Sequence, residues 1–77
     1  MIQSILFPVN NWTQMEAEHW LIMHGFKTVY NGKHVHKTKH YYRYRQAKPI
    51  KGVKYSVKIL PHSNGIRMIV QYPNEKR

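Results

Sequence analysis

Thr13-Gln14-Met15-Glu16-Ala17-Glu18-His19-Trp20-Leu21-Ile22-Met23-His24-Gly25-Phe26 is the stretch on which the fold depends. Thr13 and Glu16 form a capping box. The threonine hydroxyl accepts from the Glu16 amide, and the Glu16 carboxylate reaches back to the Thr13 amide. Glu16 and Glu18 also suit the positive end of a helix dipole. Ala17, Trp20, Leu21 and His24 recur at i, i+3, i+4 and i+7, which predicts one buried helical face. Gly25 is the expected left-handed terminator, and Phe26 is placed to fold back onto Leu21 in a Schellman ending. The spacing therefore predicts an amphipathic helix over residues 14–24. His24 is expected to cap its C-terminus and His19 to lie at the surface. Trp12, just before the cap, is expected to staple the chain to Ala17.

Outward from the helix, the remaining segments read as strands and turns. Residues 2–7 read as a short strand stopped by Pro8, which lacks an amide donor. Residues 28–30 and 33–36 flank Asn31-Gly32, a type I′ hairpin signal. Residues 39–46, 53–60 and 66–72 read as further strands, the last two joined by the turn Pro61-His62-Ser63-Asn64-Gly65. Pro73 closes the fold, and residues 74–77 are expected to fray as a basic tail. The expectation is one small α+β domain over residues 1–73. It has two layers: one amphipathic helix on a mainly antiparallel sheet of four to five strands, in the order β-α-β-β-β.

Composition narrows the function. The chain has 77 residues, no cysteine, and thirteen Lys and Arg against three Glu, for a formal net charge of +10. Disulfide scaffolds, thiolate metal sites and cysteine nucleophiles are excluded. Apolar runs are too short for a membrane span, and no signal-peptide pattern appears, so an intracellular location, not a secreted one, is expected. The charge is segregated: eleven Lys and Arg lie between Lys27 and Arg67, and no carboxylate falls between His19 and Asn74. Such a balance calls for an anionic partner.

Strand alternation suggests where that partner binds. If Val53, Tyr55, Val57 and Ile59 face the helix with Ile66, Met68 and Val70, then Lys54, Lys58, Arg67 and Gln71 point away. Tyr42 and Tyr44 inward leaves Tyr41, Arg43 and Arg45 outward. The uncovered face would then carry Tyr41, Arg43, Arg45, Lys54, Lys58 and Arg67, helped by Lys33, Lys37 and Lys39. Cations interleaved with an aromatic suit nucleic acid, because cations hold phosphates and rings stack on bases. Five phosphates neutralised on duplex DNA would give a log–log salt slope of about −4.5, roughly a 500-fold loss from 50 to 200 mM salt.

Other chemistries find less support. His34 and His36 share a strand face with His40 nearby, yet a zinc site wants three or four ligands in fixed geometry, and no cysteine or nearby carboxylate completes one. No metal or cofactor is expected. Without aspartate there is no Ser-His-Asp triad and no two-metal carboxylate cluster, so no enzyme is expected.

The patterns Trp12-Thr13-x-x-x-Ala17-x-x-Trp20-Leu21-x-x-His24-Gly25 and Tyr41-Tyr42-Arg43-Tyr44-Arg45-Gln46, with Gly65-Ile66, resemble a small module of proteins from large DNA viruses and tailed phages. The resemblance covers most of the chain, from Ile5 to Val70. It implies a viral setting, in the host cell or the virion, where a basic protein meets a genome, a capsid surface or a replication complex. It brings no catalytic residues. The lysines and histidines of residues 33–40 depart from the pattern. Three expectations follow: a largely sequence-independent nucleic-acid-binding protein; alternatively, a non-enzymatic virion or adaptor module on an acidic protein surface; and, compatible with either, a homodimer through an extended sheet. Ile69 and Tyr72 are open between a second buried layer and an oligomer contact.

Overall fold

The computed structural model describes residues 1–72. Pro73 and the tail at 74–77 lie outside the described residues. Five strands and one helix follow in chain order: β1 (Ile2–Pro8), α1 (Gln14–Met23), β2 (His36–Lys37), β3 (Tyr41–Arg45), β4 (Tyr55–Ile59) and β5 (Arg67–Gln71). The strands form one antiparallel sheet in the order β2-β3-β1-β5-β4, with the helix on one side. The two-layer α+β architecture is as expected, with the first strand at its centre.

The helix forms for the local reasons its sequence states. The Glu16 amide donates to Thr13 Oγ1 at 3.1 Å, and the Thr13 amide donates to Glu16 Oε1 at 2.9 Å. At the other end Gly25 has φ +77°, Phe26 N donates to Leu21 O at 2.8 Å, and Gly25 N donates to Ile22 O at 3.2 Å. That is the paired hydrogen bonding of a Schellman ending. His24 caps as expected, its Nδ1 lying 2.8 Å from Trp20 O. It does so from the surface, stacked on Trp20 at 3.9 Å, and is not part of the buried face.

The core consists of Ile5, Phe7, Ala17, Leu21, Tyr44 and Ile66. Phe7 meets Trp12, Trp20 and Tyr44 edge to face at 5.1, 5.7 and 5.8 Å, a favoured arrangement for ring quadrupoles. Tyr44 carries its hydroxyl to Glu18 Oε2 at 3.1 Å. Burial, and then the Glu18 carboxylate, push the Tyr44 pKa above its ordinary value. Trp12 is tied to the turn as well as to the core, its Nε1 donating to Asn64 O at 3.2 Å.

Two elements differ from expectation. Asn31 and Gly32 have φ of 50° and 73°, as a type I′ turn requires, but only the Tyr30–Lys33 bridge forms around them. The poorly alternating arms continue no further, and the chain pairs with β3 through His36 and Lys37 instead. β4 is turned over. Its register sets Tyr55 opposite Gln71, Val57 opposite Ile69 and Ile59 opposite Arg67, so its apolar row lies on the sheet face away from the helix. Tyr55, Val57 and Ile59 are 68%, 54% and 61% exposed. The ten-residue helix covers the centre of the sheet and leaves this edge strand without an apolar layer to face.

Candidate nucleic-acid interface

The open face is best followed along its rows, since directly paired residues share a face. One row runs His36, Arg43, Leu6, Arg67, Ile59 across all five strands, and the next runs Arg45, Ser4, Ile69, Val57. Tyr41 pairs with Pro8 on the same face. Tyr41, Arg43, Arg45 and Arg67 are thus brought together, as alternation in β3 and β5 suggests.

Arg67 is rooted on β5 but reaches back across β1. Its Nη1 donates to the Tyr41 hydroxyl, and its guanidinium carbon lies 5.4 Å from the Tyr41 ring centroid. All three guanidinium-bearing side chains are half-buried. Arg43 Nη2 donates to Gln3 Oε1 at 3.5 Å, a long bond. Arg43 Nε, Arg45 Nη1, Arg67 Nε and Ser4 Oγ are buried and lack a hydrogen-bond partner. Burial, and then the neighbouring Arg45, lower the Arg43 pKa. A cluster of like charges, short of acceptors and partly removed from water, is a place where an added anion is favourable. The carboxylates of the described chain, Glu16 and Glu18, sit on the helix, engaged with Thr13 and with Tyr44 and Gln14.

The lysines do not join this cluster. Lys58 is opposite Met68 and so lies on the helix side of the sheet, away from Arg43, Arg45 and Arg67. Lys54 precedes β4, where its carbonyl accepts from Tyr72 N at 3.0 Å, and the same inversion separates it from the arginines. Lys37 is opposite Tyr42, also on the helix side, with its ammonium 5.8 Å from the Tyr42 ring centroid. Lys39 is exposed in the turn between β2 and β3, and Lys33 is exposed beside the Asn31-Gly32 turn. The common basic plane therefore shrinks from five strand cations to three arginines. The inverted β4 brings Tyr55, Val57 and Ile59 onto the face in place of lysine.

Three glutamines hold the chain around the sheet, and Gln71, expected exposed on the outward side of β5, is on that side but buried. Gln71 is buried on the open face, its Oε1 accepting from Ile50 N at 3.2 Å and its Nε2 donating to Lys48 O at 2.9 Å. Gln3 Nε2 donates to Gln71 Oε1 at 3.0 Å, linking that end to Arg43. Gln46 clamps the main chain of Lys27 by two bonds of 2.8 Å, fixing the end of β3. Long-range pairings of this kind leave no periodic signal, though Gln46 does close the Tyr-Arg-Tyr-Arg-Gln motif.

Ile69 lies half-buried within the open face, and Tyr72 shares a 2.9 Å hydroxyl contact with Ser56. β5 is flanked by β1 and β4, so the last strand is an interior strand and presents no free edge for dimerisation. Among the described residues, no group of three His, Asp or Glu side chains is placed to hold a metal ion. Among those residues, no helix is long and apolar enough to cross a membrane. No family model, curated protein or solved structure matches the chain.

Proposed function

We propose that this protein binds nucleic acid, largely without regard to sequence, holding phosphates on Arg43, Arg45 and Arg67 beside Tyr41. The single observation that carries the reading is the half-buried arginine cluster, with buried donors that lack acceptors, on a sheet face left open by the helix. Phosphate oxygens supply the negative charge that this cluster lacks and can accept from those guanidinium nitrogens that still reach solvent. Binding here is non-enzymatic, and the motif resemblance adds a viral setting, in the infected cell or the virion. An electrophoretic shift on single- and double-stranded DNA and RNA at two salt concentrations tests it. Retention at about 50 mM salt, weakening steeply toward about 200 mM, is expected. No retention on any of the four overturns it.

A second reading has its own observation. Met15, Ile22 and Met23 are exposed on the helix, and an open groove of about 760 Å³ runs between Trp12, Met15, His19, Met23 and Asn64. Nucleic-acid binding leaves that apolar surface unused, whereas an adaptor module seated on an acidic protein would employ both faces. Nuclease treatment separates the two: association through nucleic acid is lost, and stoichiometric association with protein survives.

A further inference from the structure

Resting on the nucleic-acid reading, we infer that the open face takes single-stranded rather than duplex nucleic acid, with phosphates on the arginines and bases laid on Tyr55, Val57 and Ile59.

The face is divided. Arg43 and Arg45 stand on β3, and Arg67 leans across β1 to Tyr41, so the cationic groups gather over the β3 side. On the β4 side the outward row is Tyr55, Val57 and Ile59, backed by half-buried Ile69. β3 and β4 are three strand spacings apart, about 14 Å. Charge and apolar surface therefore lie on the same face, with the main chain at Lys48 and Ile50 crossing over Gln71 beside Tyr55.

A single strand has the same division. Its phosphates run along one edge, and its bases, freed from pairing, offer apolar faces on the other. Laid across the sheet, it neutralises the arginines and removes the β4 row from water in one contact. A duplex turns its bases inward and offers a flat face only phosphates and groove water. It would satisfy the arginines and leave three large, more than half-exposed apolar side chains against charged backbone. Tyr55 is the natural stacking platform, because an exposed ring accepts any base without reading its identity. That agrees with binding that ignores sequence.

The test is fluorescence anisotropy at about 100 mM salt with four probes, each about 16 nucleotides or base pairs long: oligothymidylate, oligouridylate, an abasic deoxyribose-phosphate strand, and a mixed-sequence DNA duplex. Thymidylate and uridylate are expected to bind alike, and each at least about ten-fold more tightly than the duplex or the abasic strand. Tyr55→Ala should weaken single-strand binding by roughly 5- to 150-fold, the range that loss of one stacked base gives. It should change duplex binding by less than about two-fold. Tyr55→Phe should keep the wild-type affinity, since stacking uses the ring. Tyr55 is exposed, so the circular dichroism and denaturation midpoint of these variants should match wild type. Duplex or abasic binding equal to that of thymidylate, or an unchanged single-strand affinity in Tyr55→Ala, overturns the single-strand assignment and leaves the nucleic-acid reading standing. Failure of the wild-type protein to bind any probe even at about 50 mM salt overturns both.

Discussion

β3 and β4 are both five-residue strands whose side chains alternate cleanly, and they end up with opposite relations to the helix. In β3 the aromatic Tyr42 and Tyr44 face the helix and the cationic Arg43 and Arg45 face away. In β4 the apolar Tyr55, Val57 and Ile59 face away, while Lys58 shares the helix side with Met68. The difference lies in position. β3 is next to the central strand and under the helix, where a tyrosine can be buried against Phe7 and Leu21. β4 is an edge, beyond the reach of the helix, so its orientation follows hydrogen-bond register with β5 and not the burial of its own apolar row. Alternation states which residues share a face. It does not state which face has a partner.

The comparison can be broken most severely at its two tyrosines. Tyr44 is 1% exposed and Tyr55 is 68% exposed. Tyr44→Ala should cost about 3–5 kcal/mol, as expected for emptying a core aromatic position. Against a total of about 5–10 kcal/mol for a small domain, that removes from about a third to all of the stability. Tyr55→Ala should stay within about 0.5 kcal/mol of wild type. Urea denaturation of the pair checks both, and equal losses would place β4 under the helix after all.

Next in size is the contrast between cations. Arg43→Gln/Arg45→Gln should weaken single-strand binding by about 10- to 100-fold and flatten the salt slope from about −2 to about −0.7, as two of three phosphate contacts are lost. Lys54→Gln/Lys58→Gln should cost less than about three-fold, because those lysines are on the other side of the sheet. A wild-type single-strand slope near −2, in place of the roughly −3.5 that five cations would give on the same strand, is itself a count of the arginine face.

The turn that delivers the chain from β4 to β5 gives a smaller effect. Gly65 has φ +86°, and a Cβ there would meet Pro8 Cγ at 3.0 Å. Gly65→Ala should cost about 1–2 kcal/mol through strain and crowding against the end of β1. Thermal denaturation measures it.

The smallest effect is titrated, not mutated into view. Tyr44 has its pKa raised in the folded protein, by burial first and then by Glu18. The folded state therefore keeps a proton that the unfolded state releases above about pH 10. The stabilisation is complete below that pH and is lost as pH rises beyond it. Tyr44→Phe should lower stability by about 1 kcal/mol at neutral pH and reduce the alkaline decline. Denaturation midpoints across the alkaline range read both.

Much of the fold was legible because its signals are local. Thr13, Glu16, Gly25 and Phe26 act within one helix, and Asn31-Gly32 states its turn in two residues. The arginine cluster was legible from β3 and β5, whose parity the core enforces. Lys54 and Lys58 depart from expectation because β4 alternates equally well either way up. The glutamine framework was hidden because Gln3, Gln46 and Gln71 find partners far along the chain.

By itself, the order of residues determined the helix and both its ends, the alternating strands, and an excess of positive charge with no carboxylate through the middle of the chain. Only the tertiary structure decided that the first strand is central, that β4 is an inverted edge, and that three arginines lie beside an apolar row. The physical reason is reach. Caps and turns are settled by neighbours a few bonds away, whereas the outward face of a strand is settled by what packs across the sheet.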